Sequence, residues 1–109
     1  MKLSHILIST VIMTGILPNS TTIDLLSLKL TNKCVNCKLL GVNIKNADLS
    51  GADLRNADLR WARLSMVNLN DADLSGANLK GAHLNEVTMK NTKLCGATLM
   101  NAVKSSVGC

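Results

Sequence analysis

With 109 residues and 12 basic against 7 acidic side chains, the chain is at most one domain and carries a net charge of +5 at pH 7. Its apolar share of 47% is mostly Leu and Ala, with one Trp and no Phe or Tyr. That excludes a layered core filled by aromatic rings and implies a narrow interior of repeated cross-section.

Residues 1–20 read as an export signal. Lys2 supplies one positive charge, and an apolar run from His5 or Ile6 to Leu17 follows, interrupted by Ser9, Thr10 and Thr14. Small polar residues come next, Asn19-Ser20-Thr21-Thr22. A run of about a dozen residues is too short to span a bilayer. Pro18 and Asn19 leave the cleavage site undefined, and no Cys follows the run to carry a lipid. The expectation is an exported protein, periplasmic or secreted, with no transmembrane segment in the mature chain. An uncleaved apolar N-terminus is the alternative.

From Cys37 onward the apolar residues keep a period of five. The centres are Leu39, Ile44, Leu49, Leu54, Leu59, Leu64, Leu69, Leu74, Leu79, Leu84, Met89, Leu94 and Leu99. Two residues before each centre lies a small one, most often Ala, as in Ala52, Ala57 and Ala62. Apolar positions therefore recur at alternating steps of two and three. On a helix a step of five turns the side chain by about 140°, so such residues would point all round. On a straight strand the step of three flips the face. They all stay inside only if the chain bends once per pentapeptide. Two residues after each centre come Gly41, Asn46, Gly51, Asn56, Asp71, Gly76, Gly81, Asn91, Gly96 and Asn101, residues that tolerate tight corners and positive φ. The exceptions are Trp61, Met66 and Glu86. Repeats this regular, none able to bury a face alone, predict a stacked solenoid.

The phrase A-(D/N)-L-x-x, as in NADLSGADLRNADLR and GANLKGAHL, resembles the pentapeptide-repeat family over roughly residues 37–102. The resemblance implies an all-β fold, a right-handed quadrilateral β-helix with four pentapeptides per coil and just over three coils. The segment LTNKCVNCKLLGVNI is similar to the start of many exported or cyanobacterial-type members, where a short helix and a C-x-x-C precede the first repeat. Thr21-Thr22-Ile23-Asp24 ahead of LLSLKL fits such a helix, with a Ser/Thr-x-x-Asp/Glu box at its start. A helix this short is stable only as a cap on the first coil, with Leu25, Leu26, Leu28 and Leu30 available as a lid. The chain then divides into a signal peptide (1–20), an N-terminal cap (21–36), the β-helix (37–102) and a C-terminal tail (103–109).

With four repeats per coil, residues twenty apart stack about 4.8 Å from each other. Trp61 shares its column with Gly41, Gly81 and Asn101, so the indole is expected to lie flat over a glycine corner. Arg60 and Lys80 stack before that corner. Arg63 and His83 stack after it, replacing the Asp or Asn usual before the centre. The patch of Arg60, Trp61, Arg63, Lys80 and His83 suits an anionic or sugar-like ligand by stacking and charge. A solvated basic ridge is the plainer reading.

Some members of the resembled family mimic the DNA double helix and bind type II topoisomerases through strongly acidic surfaces. Twelve basic against seven acidic residues disfavours that role here. The small excess, the single aromatic and the export signal also argue against nucleic acid as a partner. Beyond the signal His83 is the one histidine, with Glu86 three residues on and no imposed geometry between them. No Ser-His-Asp set, paired-carboxylate cleft, phosphate loop or metal triad appears, and a Leu-filled interior leaves no pocket. No enzyme activity, cofactor or metal is expected.

Cys34-x-x-Cys37 lacks the second nearby pair that zinc requires and the βαβ setting of a redox motif. Cys37 also fits the small inward slot of its repeat. Export permits disulfides, and of the three possible pairings the distance along the solenoid favours 34–37 with 95–109. Lys104 stands where the next Leu would fall, so the tail is either pinned through Cys109 or leaves the last coil to meet a second copy end to end. The expected function is an exported, non-enzymatic scaffold for an unknown protein or an anionic or sugar-like ligand. The alternative is a purely structural envelope or spacer protein with no ligand.

Overall fold

A computed structural model describes residues 19–109. All but the last two residues of the expected export signal lie outside the described residues. Helix α1 spans Ser20–Thr31. Asn19 caps it: its Oδ1 accepts the Thr22 N–H at 2.8 Å and the Thr22 hydroxyl at 2.9 Å. The box expected at Thr21 and Asp24 is therefore not used, because Asn is as good a cap and lies two residues earlier. The Asp24 carboxylate instead accepts the Lys38 N–H at 2.6 Å, tying the helix to the first repeat. Leu28 is buried at 1% exposure and Leu25 packs on the core, whereas Leu30 faces solvent. Two residues turn a helix by about 200°, so Leu28 and Leu30 cannot share one lid.

Asn32 ends α1 in the left-handed region at φ 60°, and the parallel ladder begins at once with Lys33 beside Asp53. The repeats thus start four residues before the expected boundary at Cys37. Cys34 takes a centre position at 2% exposure, and Asn36 is its corner at φ 59°.

Strands β1 (Asn43–Lys45), β2 (Arg63–Ser65) and β3 (His83–Asn85) form one parallel sheet in the order β1-β2-β3. Asn43, Arg63 and His83 lie in register, as do Lys45, Ser65 and Asn85. Isolated parallel bridges build three further faces: Lys38–Asp58–Asn78–Thr98, Asp48–Asn68–Thr88 and Lys33–Asp53–Asp73–Lys93. Every parallel pairing joins residues twenty apart, as the five-residue rhythm requires of a four-sided stack.

At most corners a turn bond closes the bend, for example Ala52 N–H to Leu49 C=O at 3.1 Å, with Gly51 at φ 68° in the third place. That geometry needs positive φ at the third residue, which Gly and Asn provide most readily. The corners at Asn46, Met66 and Glu86, which follow the three strands, have positive φ without that bond.

The centres and the small residues point inward; Leu54, Ala57, Leu69 and Leu74 are all at most 1% exposed. Thr92, in a small-residue slot, donates its buried hydroxyl to the Leu69 carbonyl at 2.8 Å. Among the described residues no buried side-chain nitrogen or oxygen lacks a partner. The far end is looser, with Leu84, Val87, Met89 and Leu94 only partly buried.

The last corner slips by one residue. Ala102, not Asn101, takes positive φ, and the chain reverses. Lys104 pairs antiparallel with Thr98, and the Leu94, Gly96 and Leu99 N–H groups donate to the Val107, Ser105 and Val103 carbonyls at 3.0, 2.8 and 2.8 Å. Val103 and Val107 are 54% and 59% exposed. The tail covers the strand edge with its backbone, not the core with its side chains. Disulfides join Cys34 to Cys37 and Cys95 to Cys109.

Candidate functional site

Trp61 occupies the third place of its turn, closed by the Ala62 N–H to Leu59 C=O bond at 3.1 Å. Its φ is 60°, a conformation that costs a non-glycine residue roughly 1–2 kcal/mol. The ring stays 59% exposed. It lies against Gly81: a Cβ there would come within 2.7 Å of the indole Cδ2. A Cβ on Gly41, in the same column, would meet nothing within 4 Å. The expected cover over a glycine corner is therefore one-sided.

The flanking cations divide into two groups. Arg60 is not a free charge, because its guanidinium forks onto Asp58, with Nε to Oδ1 at 2.8 Å and Nη2 to Oδ2 at 2.7 Å. This bond holds the Asp58 carboxyl below the usual carboxylate range and raises Arg60. Lys80 shares that face, its N–H bonded to Asn78 Oδ1 at 3.0 Å. Arg63 and His83 stand side by side on β2 and β3, beyond the Trp61 corner, both exposed. With Asn43, Lys45, Leu64, Ser65 and Asn85 they line a shallow depression of about 360 Å³.

Among the described residues no cluster of His, Cys, Asp and Glu is placed to hold a metal ion. No helix there is long and apolar enough to cross a membrane.

The family model described as "Pentapeptide repeats (8 copies)" matches residues 33–65 and 62–101. The chain belongs to the pentapeptide-repeat family. The matched segment begins at Lys33, where the parallel ladder begins. Among solved structures, a pentapeptide repeat protein from the thylakoid lumen of Arabidopsis thaliana is 41% identical over 60% of this chain and 46% of its own, with a TM-score of 0.57. HetL from the cyanobacterium Nostoc, a pentapeptide repeat protein involved in heterocyst differentiation regulation, is 29% identical over 70% of this chain and 40% of its own, at a TM-score of 0.37. Rfr23 from the cyanobacterium Cyanothece is 26% identical over 70% of this chain and 79% of its own, also at 0.37. The chain thus spans less than half the length of the first two. No curated protein matches the chain significantly.

As a pentapeptide-repeat protein the chain treats one face differently. Elsewhere the Asp or Asn before the centre accepts the N–H two residues on: Asp48 from Ser50, Asn68 from Asn70, Asp73 from Ser75 and Asn78 from Lys80, at 2.9 to 3.0 Å. On β1–β3 those positions hold Asn43, Arg63 and His83, and the straight strand sends its amides into the ladder instead. Lys45, Ser65 and Asn85 escaped the reading from sequence, although their spacing of twenty already stacks them beside Arg63 and His83.

Two predictions arise here. Hydrogen bonds from Arg55, Arg60 and Ser75 lower the Asp53, Asp58 and Asp73 carboxyls. A carboxyl lowered in the folded state contributes stability above its unfolded pKa of about 3.9 and loses it as the pH falls through the folded value. The Tm should be level from pH 7 to 5 and decline below about pH 4 in acid titration melts. The second concerns Gly81. Gly81→Ala must displace the indole as well as hold Ala at φ 71°, whereas Gly41→Ala meets only the backbone cost at φ 67°. Gly41→Ala is expected to cost about 1 kcal/mol. Gly81→Ala should cost more and shift the emission of the single tryptophan. Equal melts and unchanged emission would mean the ring does not rest there.

Proposed function

We propose that this pentapeptide-repeat protein is an exported, non-enzymatic interaction scaffold, a right-handed stack of just over three coils. Its partner engages the Trp61 corner and the basic residues beside it. The observation that carries this reading is the one aromatic ring of the chain, held at φ 60° with one face on Gly81 and 59% exposed. Asn or Gly at that corner would avoid the backbone cost, so the indole is kept for something beyond the turn. Export is supported by the N-terminal sequence and by two cysteine pairs, which persist in oxidising compartments. The similar Arabidopsis protein is itself from the thylakoid lumen. The partly buried Leu84, Met89 and Leu94 become available to a second copy at the far end of the stack only where the Cys95–Cys109 bond no longer pins the tail.

A second reading, a structural spacer without a ligand, draws on the same ring as a cover for glycine backbone. Trp61→Asn combined with Arg63→Ser and His83→Ser separates the two. Asn adopts positive φ readily, so the variant should melt within about 1 kcal/mol of the wild type. The wild type should retain an envelope partner in pull-down that the variant loses. Identical captures from a folded variant would favour the spacer.

A further inference from the structure

On three of the four faces every outward Asp and Asn is hydrogen-bonded, and on the fourth none is. Asp53 binds Arg55 and Asp58 binds Arg60, while Asn68 accepts the Thr88 hydroxyl and Asn70 accepts the Lys90 N–H. On β1–β3 the six outward side chains are Asn43, Lys45, Arg63, Ser65, His83 and Asn85. Among the described residues none of them makes a side-chain hydrogen bond or ion pair. The aspartates are sorted the same way, although cations stand on every face. Asp48, Asp53, Asp58 and Asp73 all lie on the other three faces, while Lys45 and Arg63 stand on this one with no acidic neighbour in its rows. At the level of β2 the face is bounded by two large apolar side chains at strained corners, Trp61 at φ 60° and Met66 at φ 54°, the latter 49% exposed.

We infer that the β1–β2–β3 face binds an anionic sugar chain, a refinement that rests on the scaffold reading above. Lys45 and Arg63 are diagonal neighbours on adjacent strands, a placement of roughly 7–8 Å between backbones. Their long side chains converge on a single carboxylate or sulfate, and the guanidinium supplies two parallel donors to its oxygens. Ser65, Asn43 and Asn85 offer hydroxyl and amide groups at the spacing of the ladder, suited to sugar hydroxyls. The open side of the indole supplies an apolar platform for the C–H face of a pyranose ring. A protein partner would seek an apolar or aromatic anchor at the centre of its footprint, and the outward positions here are all polar. A nucleic acid would seek several stacking rings, and the chain has one.

The test titrates the full chain by calorimetry with oligogalacturonate, dextran sulfate and uncharged dextran. Trp61 emission is followed in parallel. At least one anionic chain should bind, with a change in emission and with affinity falling as salt rises, and uncharged dextran should not. The two anionic probes distinguish carboxylated from sulfated ligands. Lys45→Gln with Arg63→Gln should weaken binding at least about ten-fold, against less than about two-fold for Lys33→Gln with Lys93→Gln, which removes the same charge from another face. All four are exposed positions, and melts of each variant establish that it is folded. Equal weakening by the two pairs, or equal binding of uncharged dextran, overturns the assignment. If no chain binds while the Trp61 variant still loses its envelope partner, the sugar proposal falls and the scaffold reading stands. If that capture is also unaffected, both fall.

Discussion

Leu69→Asp should destabilise the protein by about 4 kcal/mol or more and leave much of it unfolded at ambient temperature. Leu69 is 1% exposed, in a column with Leu49 on one side and Met89 on the other. Its N–H donates to the Thr88 carbonyl at 2.8 Å, and its own carbonyl accepts the Thr92 hydroxyl and the Ala72 N–H. The backbone there cannot move to bring a carboxylate to water without breaking rungs on both sides. Among the described residues no cation lies inside to pair with the charge, so the full desolvation cost stands. A single domain has only about 5–15 kcal/mol in hand. The control lies one residue away. Asn70→Asp keeps an oxygen to accept the Lys90 N–H, now at 2.8 Å from Asn70 Oδ1, and should cost under about 0.5 kcal/mol. Thermal melts followed by circular dichroism rank the two, and the reverse order would mean the inward pattern is wrong.

Cys109→Ser should have the next largest effect, on stability and on association together. The Cys95–Cys109 bond closes a loop of sequence separation 14, for which chain entropy assigns about 3 kcal/mol. The tail it secures is held to the stack mainly by backbone bonds, since Val103 and Val107 remain exposed. Without the bond the tail frays, and the Leu94, Gly96 and Leu99 N–H groups become an unpaired edge. Such edges recruit strands from other chains. The expected result is a lowered Tm and a larger self-associated fraction in sedimentation at matched concentration. A variant that melts lower but stays as monomeric as the wild type would show that Cys109 does not guard the edge.

The stack was legible in sequence because each repeat states its own two constraints, a Leu that must go in and a corner that must tolerate positive φ. Those constraints fade at the ends. Cys34 is a centre, but a thiol does not announce itself as the Leu of its repeat, so the first repeat is hidden. Asn19 caps the helix ahead of Thr21, and Asp24 is bonded to the Lys38 N–H, a contact fourteen residues distant that no local pattern announces. The antiparallel return of the tail depends on backbone bonds from Leu94 to Leu99, which leave no side-chain period to read. The site was half legible. Columns of twenty place Trp61 on Gly81 and Arg63 beside His83. That Arg60 is spent on Asp58, and that among the faces only β1–β3 leaves its outward Asn side chains unbonded, follows from the different backbone path on each face.

The address of every outward side chain is its number counted in twenties, while the interior counts only in fives. The two clocks respond differently to insertion and deletion. Loss of one pentapeptide, 66–70 for instance, would leave each following Leu still pointing inward, and a folded stack is expected. Everything after the cut would turn a quarter of the way round. His83 would move from beside Arg63 to beside Asp58, and Glu86 would replace Gly81 against the indole. A duplication of twenty residues would instead lengthen the β1–β3 face by one rung with its neighbours unchanged. A lineage of such proteins can therefore drift in length by fives and keep its fold, but only steps of twenty carry a surface intact from ancestor to descendant.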